Sequence, residues 1–304
     1  MSMLKETTAN IESPNLVFQD LGKEETYFYL FRKKFFKHKL AIFGLIVFTL
    51  IVLMAIFAPI IAPYNPTAIN SAFSAKPSTD YWLGTDQIGR DIFSRLVYAS
   101  RISLAVGIGA VAIYVVIGTV LGAIAGYFGG WVDGAIMRMT DIFMSFPYLM
   151  VILVLVSILG PNILNIIAVI GLLGWPSVAR IVRGSVLSIK EMDYVKAGVA
   201  LGYTSPRIIF KHILPNCVAP IIVNATFGIA SAILLESSLS FLGMGVQPPT
   251  PSWGNMLTEA QSLTVLSSQP WLWIPAGAMI LLAVLSINFM GDGLRDALDP
   301  KSIK

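Results

Sequence analysis

The chain has 304 residues, enough for two soluble domains, but 56% of them are hydrophobic and only 12% are charged. Soluble proteins carry about a quarter charged residues, so this composition excludes an ordinary soluble protein and indicates an integral membrane protein. The formal net charge is +4, and no further feature of the sequence favours nucleic-acid binding.

Uncharged tracts predict the membrane-spanning helices, because a bilayer core needs about 20 consecutive apolar residues per helix. Residues 142–179 form one uncharged tract that is too long for a single helix, and Gly160, Pro161 and Asn162 fall where a hairpin turn would lie. We therefore predict an all-α protein with six spans. They are residues 40–62, 102–128, two spans within 142–179, 219–242 and 271–290.

The distribution of Lys and Arg predicts the orientation of the chain. With the N-terminus inside, 17 of the 21 Lys and Arg residues fall in cytoplasmic segments. Both termini are then cytoplasmic. The predicted segments are a cytoplasmic tail at 1–39, a first helix at 40–62, an extracytoplasmic loop at 63–100, a transmembrane core at 101–292 and a cytoplasmic tail at 293–304.

Two loops face the outside in this arrangement. The second half of the first loop places Ile92 and Leu96 at helical spacing beside charged residues, which predicts an amphipathic helix leading into the second span. In the other outer loop, residues 243–270, four prolines favour an extended path, and Trp253 suits a membrane interface.

Charged residues near the spans are candidates for function. The i,i+3 spacing of Arg138 and Asp141 favours a local ion pair over a contact with substrate. Glu236 falls near the outer end of the fifth span, where it is either hydrated or part of a gate in the transport pathway.

Residues for catalysis are missing from the sequence. It contains no G-x-x-x-x-G-K-[ST] phosphate-binding loop, and its single Cys217 and two histidines show no metal-ligand spacing. We therefore expect no enzyme activity, no ATP-hydrolysing site and no metal or cofactor bound by this chain. One function for such a chain is that of an ion-coupled secondary transporter that works alone. These transporters usually carry ionisable residues near the middle of the membrane, whereas the middle thirds of all six spans here are uncharged.

The basic stretch YVKAGVALGYTSPRIIFKHILPN (194–216) interrupts the apolar spans. We predict a helix from Lys190 to Leu201 that Gly202 caps in a left-handed conformation, with Met192, Val195 and Val199 on one face. Ser205 as N-cap and Pro206 as first residue would open a second helix, which Pro215 would close. Two helices with a tight turn between them would lie across the cytoplasmic surface and bind either a partner protein or lipid.

This segment resembles the EAA loop of ABC importer permeases. Gly202, Leu214 and Pro215 fit that loop's spacing, whereas Lys196 stands where the loop usually has Glu and Gly198 where it has Ala. Residues 28–300 also resemble the C-type permease subunits of dipeptide and oligopeptide importers. The motifs are FAPIIAPYNP, WLGTDQIGRDIFSRLVYASRISL, ESSLSFLGMGVQPPTPSWGNML and GDGLRDALDP, in the family order.

The resemblance implies a type I ABC importer permease with cytoplasmic coupling helices at residues 190–215, in a bacterial or archaeal cell membrane. Its partners would be a B-type permease, two ATPase subunits that use ATP and Mg²⁺, and an extracytoplasmic substrate-binding protein. The residues that would bind the ATPases are Lys196, Ala197, Gly198, Ala200, Gly202, Pro206, Arg207, Leu214 and Pro215. Asp86, Arg90 and Asp91 are expected to form structural pairs in the outer loop. The substrate would be a dipeptide or oligopeptide, and nickel or another small solute is the alternative.

Overall fold

The computed structural model describes residues 27–298. The predicted tail residues 1–26 and 299–304 lie outside the described residues. Within 27–298 the chain is helical and contains no strand. The helices are α1 (Tyr27–Phe35), α2 (Lys39–Ile56), α3 (Ala58–Ile61), α4 (Ile92–Phe128), α5 (Gly130–Ser145), α6 (Tyr148–Leu159), α7 (Ile163–Lys190), α8 (Asp193–Ala200), α9 (Ser205–Ile208), α10 (Leu214–Phe241), α11 (Trp253–Leu257), α12 (Leu263–Ser268) and α13 (Ile274–Leu298).

Five helical segments are long and apolar enough to cross a bilayer, and a bent helix pair supplies a sixth candidate span. The five are Lys39–Ile56, Ile92–Phe128, Ile163–Lys190, Ser205–Phe241 and Ile274–Leu298. The predicted amphipathic helix before the second span is the first part of α4, which continues without a break for 37 residues. A helix of that length is about 55 Å long, so it exceeds the roughly 30 Å hydrocarbon core of a bilayer.

The third span is bent, a feature that was not predicted from the sequence. Helices α5 and α6 meet at 83° across a break at Phe146 and Pro147. Phe146 is extended because the ring of a following proline disfavours helical backbone, and Pro147 has no N–H with which to continue the helix. The turn predicted at 160–162 is confirmed, with Gly160 at φ +88° between α6 and α7.

Helices α4 and α7 pack closely along a row of glycines. Gly118, Gly122 and Gly126 follow one another at four-residue spacing on α4 and face three valines at the same spacing on α7. Those valines are Val178, Val182 and Val186. A Cβ atom on Gly118 would lie 2.6 Å from Cβ of Val178, so any side chain there would push the helices apart. Small residues at four-residue spacing allow such close approach of membrane helices.

The bundle has two ends. Helices α4, α10 and α13 and the loops 62–91 and 242–273 meet at one end, which we call the loop end. The connection between α7 and α10 lies at the other end, where Lys190 reaches the carbonyl of Gly126 at the end of α4 (3.4 Å). Residues 190–215, which we call the elbow, form that connection.

Candidate functional site

The elbow turns sharply at Gly202. Its φ of +75° confirms the predicted left-handed conformation. The turn is closed by two backbone hydrogen bonds, from Gly202 N to Val199 O (2.9 Å) and from Tyr203 N to Gly198 O (3.1 Å). A left-handed glycine that ends a helix in this way leaves the chain free to reverse. A Cβ atom on Gly202 would have no neighbour within 4 Å, so the turn faces open space.

The second helix of the elbow does not end at Pro215, and that prediction is wrong. A π-helical stretch, Ile209–Ile213, joins α9 directly to α10, so that Ser205–Phe241 is one continuous helical segment. Pro215 follows the π-helical stretch directly, where Leu214 N donates to Ile209 O, and this local change in the hydrogen-bond pattern accommodates a proline within the continuous helix. Thr204 rather than Ser205 is the N-cap, with no side-chain hydrogen bond. The second half of the elbow, residues 205–215, is therefore the first part of the fifth span.

Side chains within the elbow stabilise the turn. The guanidinium of Arg207 lies 4.0 Å above the centre of the Tyr203 ring, and that ring stacks on His212 at 5.8 Å. A cation over an aromatic face contributes about 0.5–1 kcal/mol at an exposed site. Lys196, which stands where the EAA loop usually has Glu, forms an exposed ion pair of 3.1 Å with Glu191. Its reversed charge is thus balanced inside the elbow.

The outward surface of the elbow is apolar and partly composed of small residues. Val195 is buried, whereas Met192 and Val199, which were expected on the same face, are exposed. Leu201 is 72% exposed beside Gly202, and Phe210 is 70% exposed on the second helix. Ala197, Ala200, Pro206 and Pro215 are exposed, Leu214 is half-buried and Gly198 is buried against Tyr203. Exposed apolar residues rimmed by polar ones mark a surface that interacts with a protein or with the membrane.

A cleft of about 500 Å³ lies beside the bend of the third span. Its walls come from α4, the α5–α6 bend, α7 and α10, and most of them are apolar. Polar groups in the lining include Tyr114, Ser177, Asn224 and Ser231. Glu236 was the one pathway or gate residue that the sequence suggested, and it does not line this cleft; the residues that do line it were not predicted. Asn224 and Ser231 lie two helical turns apart, on one face of an otherwise apolar span. This pair of polar residues is the sequence pattern from which the cleft-lining face could have been predicted.

Glu236 on α10 is fully buried, so the expectation that it is hydrated is wrong. Its carboxylate accepts hydrogen bonds from Ser240 (2.7 Å) and Ser103 (3.3 Å). The same two hydroxyls accept hydrogen bonds from backbone N–H groups of the loop after α10, at Val246 and Trp253. Trp253 is itself buried, which corrects its predicted place at the membrane interface. Glu236 thus joins α4, α10 and the loop at one buried point.

In the outer motif, Asp86 and Arg90 form a buried ion pair of 2.7 Å. Asp86 also accepts hydrogen bonds from the backbone N–H groups of Ile88 (3.1 Å) and Arg90 (2.8 Å). Asp91 has a different role from the one expected. It is the N-cap of α4 and accepts a hydrogen bond of 2.8 Å from Ser94 N, which stabilises the start of that helix.

The predicted Arg138–Asp141 ion pair is wrong. Asp141 pairs with Arg180 (2.5 Å), and Asp133 binds Arg183 through two hydrogen bonds of 2.5 and 2.6 Å. Both pairs connect α5 to α7. The arginines come from the next span, about 40 to 50 residues later, so spacing within one helix could not reveal them. The bent third span is therefore held to its neighbour by charge.

No group of three His, Cys, Asp or Glu side chains within residues 27–298 is placed to hold a metal ion.

Comparison with known proteins identifies the family. Residues 118–304 match the family described as binding-protein-dependent transport system inner membrane component. Residues 26–77 match the N-terminal TM domain of oligopeptide transport permease C.

Curated relatives match most of the chain. The dipeptide transport system permease protein DppC of Alkalihalophilus pseudofirmus is 46% identical over 88% of each chain. The oligopeptide transport system permease protein OppC of Bacillus subtilis is 43% identical over 88% of each. The di/tripeptide transport system permease protein DppC of Pseudomonas aeruginosa is 41% identical over 96% of each.

The fold also matches a solved structure. A chain of the inward-facing MetNI methionine ABC transporter superposes with a TM-score of 0.55 at 19% identity, covering 68% of this chain and 98% of that one. This likeness concerns the fold, and the closer sequence relatives carry the assignment. The chain is a multi-pass membrane protein that belongs to the family of binding-protein-dependent transport system inner membrane components.

Proposed function

We propose that this chain is the C-type permease subunit of an ATP-driven peptide importer and forms half of its translocation pathway. The names of the relatives support peptides as the substrate class, because dipeptide, tripeptide and oligopeptide permeases are among them at 41–46% identity. The mostly apolar cleft with a few polar groups suits peptides of varied side chain.

The observation that carries the proposal is the continuity of the elbow with the wall of the cleft. Ser205–Phe241 is one helical segment. Its first turns belong to the elbow, and Asn224, Ser231 and Leu235 further along it line the cleft. A partner that moves the elbow therefore also moves residues along the pathway. This arrangement favours coupling to an external energy source over an isolated ion-driven carrier.

The proposed partner at the elbow is a cytoplasmic ATPase subunit. The residues proposed to bind it are Lys196, Ala197, Gly198, Ala200, Gly202, Pro206, Arg207, Leu214 and Pro215. Two such ATPases would bind ATP and Mg²⁺, and this chain would neither hydrolyse ATP nor hold a cofactor. The elbow end then faces the cytoplasm, together with both termini, in agreement with the Lys and Arg distribution.

The remaining partners follow from this orientation. A B-type permease would cover the open side of the cleft and complete the pathway. An extracytoplasmic binding protein would deliver the substrate at the loop end. There Asp86, Arg90 and Asp91 would keep the first outer loop folded, and Glu236 would hold the second outer loop against a pathway helix, where it would act in gating.

Uptake into vesicles tests the proposal. The four-subunit complex is reconstituted in proteoliposomes with the binding protein outside and ATP inside, and labelled dialanine is supplied. We expect accumulation that requires ATP, Mg²⁺ and the binding protein. ATP-independent uptake under an ion gradient would contradict the proposal, as would uptake of a nickel chelate with no uptake of peptide.

A further inference from the structure

A small polar cavity of about 240 Å³ lies at the loop end, apart from the cleft. One wall comes from the first loop and the start of α4, with Asp86, Arg90 and Arg95. The opposite wall comes from the loop after α10 and includes Asn255 and Glu259. Four charged side chains thus surround one cavity. Such a cavity is unusual at the end of an apolar bundle, since buried charges are costly unless they are paired.

Two of the four charged side chains, Asp86 and Arg90, form an ion pair with each other. Asp86 holds the guanidinium of Arg90 at 2.7 Å, and its oxygens also accept two backbone hydrogen bonds. The remaining cation, Arg95, is only 4% exposed. Its two contacts in the described structure are long, at 3.7 Å to Asp86 and 3.5 Å to the carbonyl of Pro66. A guanidinium has five N–H donors, so most of the hydrogen-bonding capacity of Arg95 is unused.

The remaining anion lies on the other wall. The side chain of Glu259 is half-buried and, within residues 27–298, has neither a hydrogen bond nor an ion pair within 4.0 Å. Burial raises the pKa of this carboxyl, and the neighbouring Asp86 raises it further, against the opposing effect of Arg90 and Arg95. The arginines are thus near enough to act on Glu259 through space without contacting it. An under-bonded cation and an unpaired anion face the same cavity.

We propose that this cavity binds a small zwitterion, with a carboxylate on Arg95 and an ammonium on Glu259. The carboxylate of such a ligand would pair with Arg95 on one wall, and its ammonium would pair with Glu259 on the other. The carboxylate offers two acceptors to the planar fork of Arg95, and the ammonium neutralises Glu259. A volume of about 240 Å³ is below the usual 300–1,000 Å³ of sites for drug-sized ligands. The ligand class is therefore an amino acid or a dipeptide with both termini free.

The site is separate from the proposed coupling surface and pathway, and its occupancy does not require transport. Protection of a cysteine can therefore detect the ligand directly. Thr258→Cys places a thiol on the cavity wall, in a chain whose single native cysteine, Cys217, is buried. Thr79→Cys, the same substitution on an exposed part of the first loop outside the cavity wall, is the matched control. The membrane complex is purified without its binding protein, and alkylation of this chain by a maleimide is followed by mass spectrometry.

We expect dialanine to slow alkylation of the Thr258→Cys variant by a factor of 1 + [L]/Kd, about tenfold at ten times the Kd. N-acetyl-dialanine lacks the ammonium and dialanine amide lacks the carboxylate, so neither should protect. Adding Glu259→Gln should abolish the protection while the labelling rate of the Thr79→Cys variant stays unchanged. Three outcomes would overturn the proposal: no protection by dialanine, equal protection by the blocked peptides, or protection that survives Glu259→Gln. Loss of uptake in vesicles with intact protection would instead contradict only the proposed transport function.

Discussion

Ser103 on α4 donates a hydrogen bond of 3.3 Å to the carboxylate of Glu236 on α10, 133 residues further along the chain. The same hydroxyl accepts a hydrogen bond of 3.1 Å from the backbone N–H of Trp253, so the serine connects the carboxylate to the loop. A buried carboxylate with several hydrogen-bond donors around it is stabilising only while those donors remain in place. This contact fixes the outer loop to two spans of the bundle.

Replacing Glu236 with Leu should destabilise the loop end. The hydroxyls of Ser103 and Ser240 would lose their acceptor in a buried site, at a cost of about 1–3 kcal/mol for each unsatisfied group. Glu236→Gln keeps an acceptor and the shape, so its melting temperature should lie between those of the Leu variant and the wild type. Thermal unfolding of the purified complex measures both. Ser238→Ala, an exposed hydroxyl on the same helix, is the control and should melt like the wild type. A Leu variant that also melts like the wild type would contradict the structural role of Glu236.

The two ion pairs between α5 and α7 should differ in strength. The pair of Asp133 and Arg183 is bidentate and partly buried, whereas that of Asp141 and Arg180 is exposed to solvent on both sides. Exposed pairs contribute about 0–1 kcal/mol, and partial burial with two parallel hydrogen bonds raises that value. Double-mutant cycles with alanine, read from unfolding, should give a larger coupling energy for the first pair. Equal coupling energies would show that burial has no effect here.

Substitutions at Gly202 can separate backbone conformation from close approach of a partner. Val cannot adopt a φ of +75° without strain, whereas Asn tolerates this conformation and adds a side chain of similar size. Gly202→Val should therefore disturb the elbow itself. Gly202→Asn should leave the melting temperature of the complex near that of the wild type and still reduce ATPase-driven uptake, because the added side chain fills the surface proposed to contact the ATPase.

Co-purification of the ATPase with each Gly202 variant measures the binding step. If Gly202→Asn binds the ATPase and transports peptide at the wild-type rate, the turn is not a contact surface, and only its conformation matters.

A bulky residue in the cleft should block the pathway. Ser231 lies on the cleft wall and is exposed, so Ser231→Trp should fit without disturbing the core and should reduce peptide uptake severalfold or more. Ile222→Trp is the control, because Ile222 is also exposed on α10 but does not line the cleft. Uptake and assembly are measured for both variants. Normal uptake by a well-assembled Ser231→Trp complex would place the pathway elsewhere.

The sequence was sufficient for the features that depend on local composition. Uncharged tracts located the spans, and the hairpin turn at 160–162 and the left-handed Gly202 followed from glycine and proline chemistry. Contacts between distant segments could not be predicted from the sequence. The spacing of charges suggested Arg138 as the partner of Asp141, whereas the partner in the structure is Arg180. Pro215 was misjudged because a proline usually ends a helix, whereas here a π-helical stretch just before it lets the helix continue.

Burial was the other feature that the sequence did not reveal. Counting residues along α10 placed Glu236 near the end of the span, but only the packed structure shows that Ser103, Ser240 and the loop that carries Trp253 enclose it. The loop is held at this point by backbone N–H groups, which donate to the two serine hydroxyls. Because nearly every residue has a backbone N–H group, no sequence motif could indicate the contact. The cavity between Arg95 and Glu259 was equally hidden, because its walls are 164 residues apart in the sequence.

The central claim is that the elbow binds an ATPase and passes its motion to the fifth span. Leu201, 72% exposed next to the turn, is the most direct position at which to place a photo-cross-linking amino acid such as p-benzoylphenylalanine. Illumination of the assembled complex should produce an adduct between this chain and an ATPase subunit. The same probe at Thr79, exposed at the loop end, should produce none. Absence of an ATPase adduct from position 201, or its formation from position 79, would contradict both the coupling role of the elbow and the orientation of the chain.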